Sequence, residues 1–301
     1  MAIQICGSFA FDTIMDFPGR FAEQILPDQL HILNVSFLVP GLRREFGGCA
    51  GNIAYTLKQL GGEPYPVAVL GSDAADYLAR LDALGISRQW VSTQADAYTA
   101  QAMIMTDRDN NQITAFHPGA MSFAHLNPLA PTADVKLGIV SPDGRDAMLL
   151  HAREFAEAKV PFVFDPGQGL PMFNGEELTQ FVAQATWVTV NDYEGKMLCD
   201  RTGKTFAELS QQCRGLVVTL ADQGCDVWEN GSCVRVPGAA AKEVVDPTGC
   251  GDAFRAALLL GLERGLSLQE CARIGNEVGA VKIASRGGQN HDVRYLAEKF
   301  K

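Results

Sequence analysis

The chain carries its most informative stretch at residues 246–254, which read Asp246-Pro247-Thr248-Gly249-Cys250-Gly251-Asp252-Ala253-Phe254. This glycine-rich turn leads directly into an apolar run at 256–260, a pattern that predicts a buried helix. The backbone amides of residues 249–251 can converge at the start of that helix and bind a phosphate or a developing anion. A lone aspartate at a helix start is usually explained by the helix dipole. Because Asp252 coincides with the glycine turn, we predict a phosphoryl-transfer site with Asp252 as catalytic base.

Other phosphate-binding motifs fail at a required position. Gly203-Lys204-Thr205 ends like a Walker A loop, but the first glycine of that loop is replaced by Leu198. We predict a helix-ending turn there instead. Gly249-x-Gly251 and Gly167-x-Gly169 each begin like the dinucleotide fingerprint. The third glycine is missing from both, since Phe254 and Met172 stand at the required positions. A Rossmann oxidoreductase is therefore disfavoured.

The rest of the chain alternates short apolar runs with helix-length segments, which is typical of βαβ units and a mainly parallel sheet. We predict buried strands at 3–7, 65–70, 137–140, 162–164, 187–190 and 216–219. We predict helices at 50–60, 74–84, 251–264 and 268–284. Two β-rich pieces, 12–46 and 98–117, break this rhythm, and the second predicts a hairpin with strands at 100–105 and 112–116. Together they predict a small sheet with one apolar face, inserted as a lid over an active site.

Composition limits the class of protein. Hydrophobic residues make up 47% of the chain and charged residues 20%, which is typical of a globular protein. The net charge of −10 and the lack of a basic run predict no nucleic-acid partner. No export signal or membrane-length apolar segment is visible, so we predict no membrane partner. The 8 cysteines show no zinc spacing, and we expect reduced thiols in a cytoplasmic enzyme.

Four motifs occur in an order that resembles the ribokinase-like (PfkB) carbohydrate and nucleoside kinases. They are the C-terminal signature at 246–254, the N-terminal signature Phe46-Gly47-Gly48-Cys49-Ala50-Gly51-Asn52, the N-x-x-E motif Asn191-Asp192-Tyr193-Glu194, and the first-strand pair Gly7-Ser8 with Asp12. The resemblance implies a single ribokinase-like α/β domain over 1–301. Arg43-Arg44 and the stretches 109–114 and 116–121 resemble bacterial adenosine kinases and broad-specificity nucleoside kinases most.

The resemblance implies a substrate site in the first half of the chain. Asp12 and Asn52 would hold sugar hydroxyls together with Ser8 and the Gly48 backbone, although each side chain could also be a turn or cap residue. Phe37 or Phe116 could stack on a base, or simply pack under the lid. Gln168 could present its amide to the edge of the base. Position 49 is Cys, where ribokinases often have Lys.

The resemblance places the nucleotide in the second half. Asn191 would contact phosphate, and Glu194 would bind Mg²⁺ through water, since hard cations prefer oxygen ligands. The turn at 219–224 resembles the nucleotide-binding turn, with one departure at a position where glycine is expected. The nucleotide-contacting residues implied are Thr219, Ala221, Gly224, Asn276 and Gly288. Backbone carbonyls near 246, 248 and 283–288 would bind a monovalent cation such as K⁺.

These observations predict an ATP-dependent kinase that phosphorylates the ribose 5′-hydroxyl of a nucleoside, with adenosine first among substrates. Two alternatives remain open. One is a sugar kinase acting on ribose, fructose or a related sugar, and the other is a catalytically silent nucleoside sensor. Packing of two lids would also make the protein a homodimer.

Overall fold

The computed structural model describes residues 1–25, 34–109, 111–130 and 132–301. In chain order the strands are β1 (Ala2–Cys6), β2 (Ala10–Asp16), β3 (Gly41–Gly47), β4 (Glu63–Leu70), β5 (Trp90–Thr93), β6 (Ala100–Thr106), β7 (Gln112–His117), β8 (Val135–Val140), β9 (Phe162–Phe164), β10 (Trp187–Asn191), β11 (Gly215–Thr219), β12 (Cys225–Glu229) and β13 (Ser232–Val236). The α-helices are α1 (Phe21–Gln24), α2 (Cys49–Gln59), α3 (Ala75–Leu84), α4 (Arg145–Ala158), α5 (Gly175–Gln184), α6 (Asp192–Thr202), α7 (Phe206–Ser210), α8 (Cys250–Glu263) and α9 (Leu268–Lys282).

A nine-stranded main sheet crosses the described part of the chain in the order β13-β12-β11-β10-β9-β8-β1-β4-β5. The pairings from β11 through β5 are parallel. Both pairings of β12 are antiparallel, so the β12–β13 hairpin closes one side of the sheet. The predicted mainly parallel sheet is confirmed, whereas this hairpin was not predicted, because its strands are short and carry polar residues.

A second sheet has the order β3-β2-β6-β7 within the described residues. It unites the two β-rich pieces of the sequence, because β2 pairs with β6 in parallel and β6 with β7 as a hairpin. Residues 26–33 and 110, which belong to the predicted pieces 12–46 and 98–117, lie outside the described residues. The sheet is directly joined to the main domain, since β2 follows β1 and β3 runs into α2. Its function as a lid stays a prediction.

Two apolar layers cover the main sheet, one on each face. One contains Ile3, Ile5 and Val217 with α2, α8 and α9, and the other contains Phe162, Phe164 and helices α4 to α6. Val163 belongs to the first layer although its neighbours in β9 belong to the second. This alternation follows from the two-residue period of a strand, which explains why strands buried on both sides are apolar throughout.

Helix ends follow local sequence signals. α3 ends at Gly85 in the left-handed conformation (φ 64°), as the predicted stop at that glycine requires. Gly203 ends α6 in the same way, and Thr205 caps α7, which confirms the turn predicted in place of a Walker A loop. Among the helices described, we find none that is both long enough and apolar enough to cross a membrane.

Candidate active site

The predicted site residues gather at the carboxyl ends of the parallel strands. Ser8 follows β1, Asp165 follows β9, Asn191 ends β10 and Thr219 ends β11. The amino terminus of α8 points to the same edge, because Asn52 on α2 and Asp165 both lie against its first turns. The carboxyl edge of an open α/β sheet is where such folds bind ligands.

The turn before α8 has the backbone that its sequence predicts. Gly249 is left-handed (φ 78°) and is the N-cap of the helix. The N–H of Cys250 is already used, since it donates to the Pro247 carbonyl at 3.1 Å. In the described part of the chain no protein acceptor is found for the N–H groups of Gly249 and Gly251. Two of the three predicted amides are therefore available to bind an anion, and the third shapes the turn.

Asp252 lies in the first turn of α8 and is only 8% exposed. Its Oδ2 accepts a hydrogen bond from Nδ2 of Asn52 at 2.9 Å. Burial raises the pKa of Asp252, while the nearby Arg255 cation and the Asn52 hydrogen bond oppose that rise. A buried carboxylate with a raised pKa and few donors is suited to accept a proton.

Arg255 and Asp165 form a buried ion pair beside this carboxylate. The Arg255 side chain is 12% exposed and lies against Gly251, where any side chain would collide with the guanidinium. Burial raises the pKa of Asp165 to about 7 in spite of Arg255. Burial alone would lower the pKa of Arg255, but Asp165 and Asp252 raise it overall. Arg255 is therefore a fixed cation next to the anion-binding turn.

Our sequence analysis missed this pair. Its signal was present, because Arg255 is the one charged residue in the apolar run that follows Asp252, three positions later and hence on the same helix face. Asp165 follows a fully buried strand directly, at the sheet edge where ligand-binding residues collect. Only the fold shows that the two side chains meet.

A hydrogen-bond chain fixes the orientation of Asn52. Nε2 of Gln289 donates to Oδ1 of Asn52 at 3.3 Å and to the Tyr77 hydroxyl at 3.0 Å. The Tyr77 hydroxyl in turn donates to the Gly47 carbonyl at 2.7 Å. Because its Oδ1 faces Gln289, Asn52 presents its amide nitrogen to Asp252. The structure thus connects this predicted sugar-binding residue to Asp252, the predicted base.

The other predicted substrate residues surround the junction of β1, β2 and α2. Ser8 is buried, and its Oγ accepts from the N–H of Cys49 at 3.2 Å, so it caps α2. Gly48 has φ 85°, and a side chain there would meet the Ser8 carbonyl at 2.5 Å, which explains the glycine. No hydrogen bond from the described residues reaches the Asp12 carboxylate. Burial raises the pKa of Asp12 to about 6, with Asp252 adding to the rise.

The small sheet places one predicted aromatic residue well for substrate binding. Asp12 pairs with Ala102, and Ala102 pairs with Phe116, so all three side chains share one face. Phe116 is 50% exposed there. Met103 and Met105 lie an odd number of residues from Ala102 along β6 and therefore point to the opposite face. The prediction of a single apolar face is therefore wrong, since both faces carry apolar side chains.

Phe37 and Gln168 occupy different surroundings. The ring of Phe37 packs edge-on against Phe17 and Phe21 at centroid distances of 5.0 and 5.2 Å. This packing favours the alternative in which Phe37 stabilises the lid. Gln168 is exposed in the 3₁₀ helix Gly167–Met172, directly after Asp165. Its side chain is therefore open to solvent close in sequence to Asp165, and its contact with a base stays a prediction.

A cavity of about 660 Å³ extends from the start of α8 between the β11–β12 turn and α9. Apolar residues form much of its wall, including Val244, Phe254 and Ile283. Four of the five residues predicted to contact the nucleotide line it, namely Thr219, Ala221, Gly224 and Asn276. The predicted anion-binding residues Cys250 and Gly251 form one end of the cavity. An apolar slot that ends at the free amide of Gly251 is a suitable shape for a nucleotide.

Three predicted nucleotide-binding residues differ in their backbone geometry or contacts. Ala221, at the position where glycine was expected, has φ 51° and is therefore in the left-handed region that favours glycine. Asn276 donates to the Pro237 carbonyl at 3.0 Å while it lines the cavity, so it joins α9 to the end of β13. Gly288 lies away from this cavity wall and packs against Asn52 and Gly249. The structure thus favours a packing role for Gly288 over nucleotide contact.

The N-x-x-E motif forms a capping box at the start of α6. Asn191 Oδ1 accepts from the N–H of Glu194 at 2.7 Å, and Glu194 Oε2 accepts from the N–H of Asn191 at 2.9 Å. No donor in the described chain reaches Oε1 of Glu194. The described residues contain no group of three or more side chains able to hold a metal. Oε1 of Glu194 would therefore be available to bind a Mg²⁺ ion through water, as predicted.

Comparison with known proteins identifies the family to which the chain belongs. Residues 13–294 match the pfkB family of carbohydrate kinases, and the chain belongs to this family. The family and the ribokinase-like fold predicted from the four motifs are confirmed, and the protein is a kinase.

Similar proteins include nucleoside kinases. The nucleoside kinase of Methanocaldococcus jannaschii is 29% identical over 264 residues, which cover 86% of this chain and 85% of the relative. The nucleoside kinase of Burkholderia thailandensis in complex with inosine is 49% identical, with a TM-score of 0.88 over 99% of this chain and 96% of the other. The Burkholderia structure in complex with ADP-inosine is 50% identical, with a TM-score of 0.86 over 99% and 94%.

Proposed function

We propose that the protein phosphorylates the ribose 5′-hydroxyl of nucleosides, with adenosine first among substrates and ATP as donor. The observation that carries this proposal is the position of Asp252, between Asn52 and the end of the nucleotide-shaped cavity at Gly251. The Burkholderia relative, whose structures contain inosine and ADP-inosine, supports a nucleoside as acceptor.

The proposed reaction transfers one proton and one phosphoryl group. Asp252 takes the proton of the 5′-hydroxyl while the oxygen forms a bond to the γ-phosphorus of ATP. The bond between that phosphorus and the bridging oxygen breaks, and ADP leaves with the electron pair. The N–H groups of Gly249 and Gly251 and the Arg255 cation would stabilise the charge on the transferring group. A Mg²⁺ ion beside Glu194 would neutralise the phosphate oxygens.

The proposed nucleoside lies between the lid and the main sheet. Asp12 would accept hydrogen bonds from ribose hydroxyls, since it lacks a protein donor and is partly buried. Phe116 lies two strand spacings away on the same face, roughly 10 Å, which is a suitable distance for the base. Gln168 would reach the edge of the base from the main domain. Phe116 is the aromatic residue that we now favour for stacking.

A homodimer through the lid is a separate proposal. The face of the small sheet away from Asp12 exposes Leu42, Met103 and Ile113 at 65%, 42% and 42%. An apolar face on an inserted sheet needs a cover, and a second lid would supply one of the same chemistry.

A substrate panel tests the proposed function. ADP release is followed with adenosine, inosine, guanosine, cytidine, ribose and fructose, at equal concentrations with ATP and Mg²⁺. We expect the highest kcat/KM with adenosine and little turnover of the free sugars. Turnover of ribose or fructose without any nucleoside would establish the sugar-kinase alternative. Tight binding of adenosine without ADP release would establish the sensor alternative.

A further inference from the structure

A lysine is fully buried behind the anion-binding turn. Lys282 is the last residue of α9 and has 0% exposure. Its Nζ donates to the carbonyl of Asp246 at 2.9 Å and to the carbonyl of Ser285 at 2.9 Å. The ion pairs of the described chain include none made by Lys282. The ammonium is therefore held by backbone carbonyl oxygens, as a monovalent cation would be.

Physical conditions at this position favour a cation. The carbonyl end of a helix carries a partial negative charge, and Lys282 lies at the carboxyl end of α9. Burial lowers the pKa of Lys282, while Cys250, Asp246 and Asp252 act in the opposite direction. A buried charge is tolerated only when it is hydrogen-bonded, and two carbonyls meet that need here.

The two carbonyls belong to loops that shape the active site. The Asp246 carboxylate accepts from the N–H of Thr248 at 2.9 Å and from the N–H of Gly287 at 2.8 Å. The loop before α8 is thus fastened to the loop after α9 both by Asp246 and by Lys282. Gly288, next to Gly287, packs against Gly249 and Asn52. A change at the ammonium would therefore displace the turn that carries the anion-binding amides.

The sequence predicted a monovalent cation at carbonyls near 246, 248 and 283–288, and two carbonyls of that set are already occupied by the Lys282 ammonium. We propose that Lys282 is a built-in monovalent cation that positions the anion-binding turn, so that the kinase works without added K⁺. A free K⁺ beside the same two oxygens would lie against the ammonium, and like charges at that distance repel. The inference rests on the proposed phosphoryl transfer at that turn.

The wild-type enzyme gives the first test. kcat with adenosine is measured as K⁺ replaces choline at constant ionic strength. We expect kcat to change by less than about twofold, since no site depends on the added ion. A tenfold or larger activation, roughly the effect of losing one charge-assisted hydrogen bond, would overturn the inference. An enzyme that phosphorylates no nucleoside in either salt would contradict the proposed function instead.

Two matched variants give the second test. Lys282→Ala removes the ammonium and leaves space between the carbonyls, whereas Lys282→Met removes the charge but fills the space. We expect kcat to fall by about tenfold or more in both variants in choline. K⁺, ammonium or a small alkylamine should restore Lys282→Ala but not Lys282→Met. Lys136→Met, at an exposed position of β8, controls for loss of a lysine elsewhere.

Each outcome decides the inference. Rescue of Lys282→Ala by a small cation would support a cation function, which a packing role alone cannot produce. Wild-type kcat in Lys282→Ala, or a folded and inactive variant that no cation restores, would overturn it. If neither variant folds in any salt, the wild-type titration decides the question alone.

Discussion

Asn52 and Asp252, 200 residues apart in the chain, are joined by a hydrogen bond of 2.9 Å between the amide nitrogen and the carboxylate. The bond connects the two signature motifs, because Asn52 lies on α2 and Asp252 in the first turn of α8. Since α2 directly follows strand β3 of the small sheet, Asp252 is connected to that sheet through one side chain.

Asp12 gives the site a pH dependence. Burial raises the pKa of its carboxyl from 3.8 to about 6, and the ionised form accepts hydroxyl hydrogen bonds more strongly than the neutral acid does. KM for adenosine should therefore be constant above this pKa and rise as the pH falls through it. Asp12→Ala should raise KM by about tenfold or more and remove that rise. A KM that stays flat below pH 6 in the wild type would place the ribose site elsewhere.

Arg255 should act on the base as well as on stability. Arg255→Met leaves Asp165 buried without its cation, and breaking a buried pair on one side costs about 3–5 kcal/mol. Asp252 also loses a cation that holds its pKa down, so the acidic limb of the kcat profile should move to higher pH. The double variant Arg255→Met/Asp165→Leu should recover the free energy of unfolding, but the acidic limb of its kcat profile should stay at the higher pH. An unshifted acidic limb in a folded Arg255→Met enzyme would limit Arg255 to a structural role.

Ala221 carries backbone strain that glycine would relieve. The left-handed conformation destabilises a residue with a side chain by roughly 1–2 kcal/mol. Glycine avoids this cost, but its greater freedom in the unfolded state destabilises the folded protein by about 0.5–1 kcal/mol. Ala221→Gly should therefore raise the free energy of unfolding by about 0.5–1 kcal/mol, measured in urea. Ala240→Gly is the control, since Ala240 lines the same cavity and has no positive φ. Equal changes in both variants would remove the strain argument.

The small sheet should close on substrate. Hydrogen exchange is compared with and without adenosine, and we expect slower exchange in β3 and over 98–117, because closure excludes water from the site. The β12–β13 hairpin serves as an internal reference far from the lid along the sheet. If bound adenosine leaves exchange in both lid segments unchanged, the sheet is a fixed wall and the lid assignment fails.

The sequence predicted the fold well where local patterns decide it. The helix and strand cores and the small sheet follow from apolar period and turn glycines, whereas the capping boxes of α5, α6, α7 and α9 were not predicted. The β12–β13 hairpin was not predicted, because the alternation of apolar and polar residues is weak in short strands that carry polar residues. The two faces of the small sheet depend on register, and register is set by pairing between distant segments.

The site was predictable where motifs specify backbone geometry, as at Gly48, Gly249 and Ala221. It was not predictable where partners come from distant elements. Asp165 reaches Arg255 on α8 from the segment after β9, and Gln289 orients Asn52 from near the end of the chain. Lys282 gave no signal at all, since a lysine at a helix end is normally exposed. Such contacts arise only when the helices pack on the sheet.

The most direct test of the proposed chemistry is kcat of Asp252→Asn, measured together with the Kd for adenosine. Asparagine keeps the shape and can still meet Asn52 through its amide oxygen, but it cannot accept the proton. We predict that kcat falls by about 10²–10⁴-fold while Kd changes little. A variant that binds adenosine and retains wild-type kcat would contradict the assignment of Asp252 as the catalytic base.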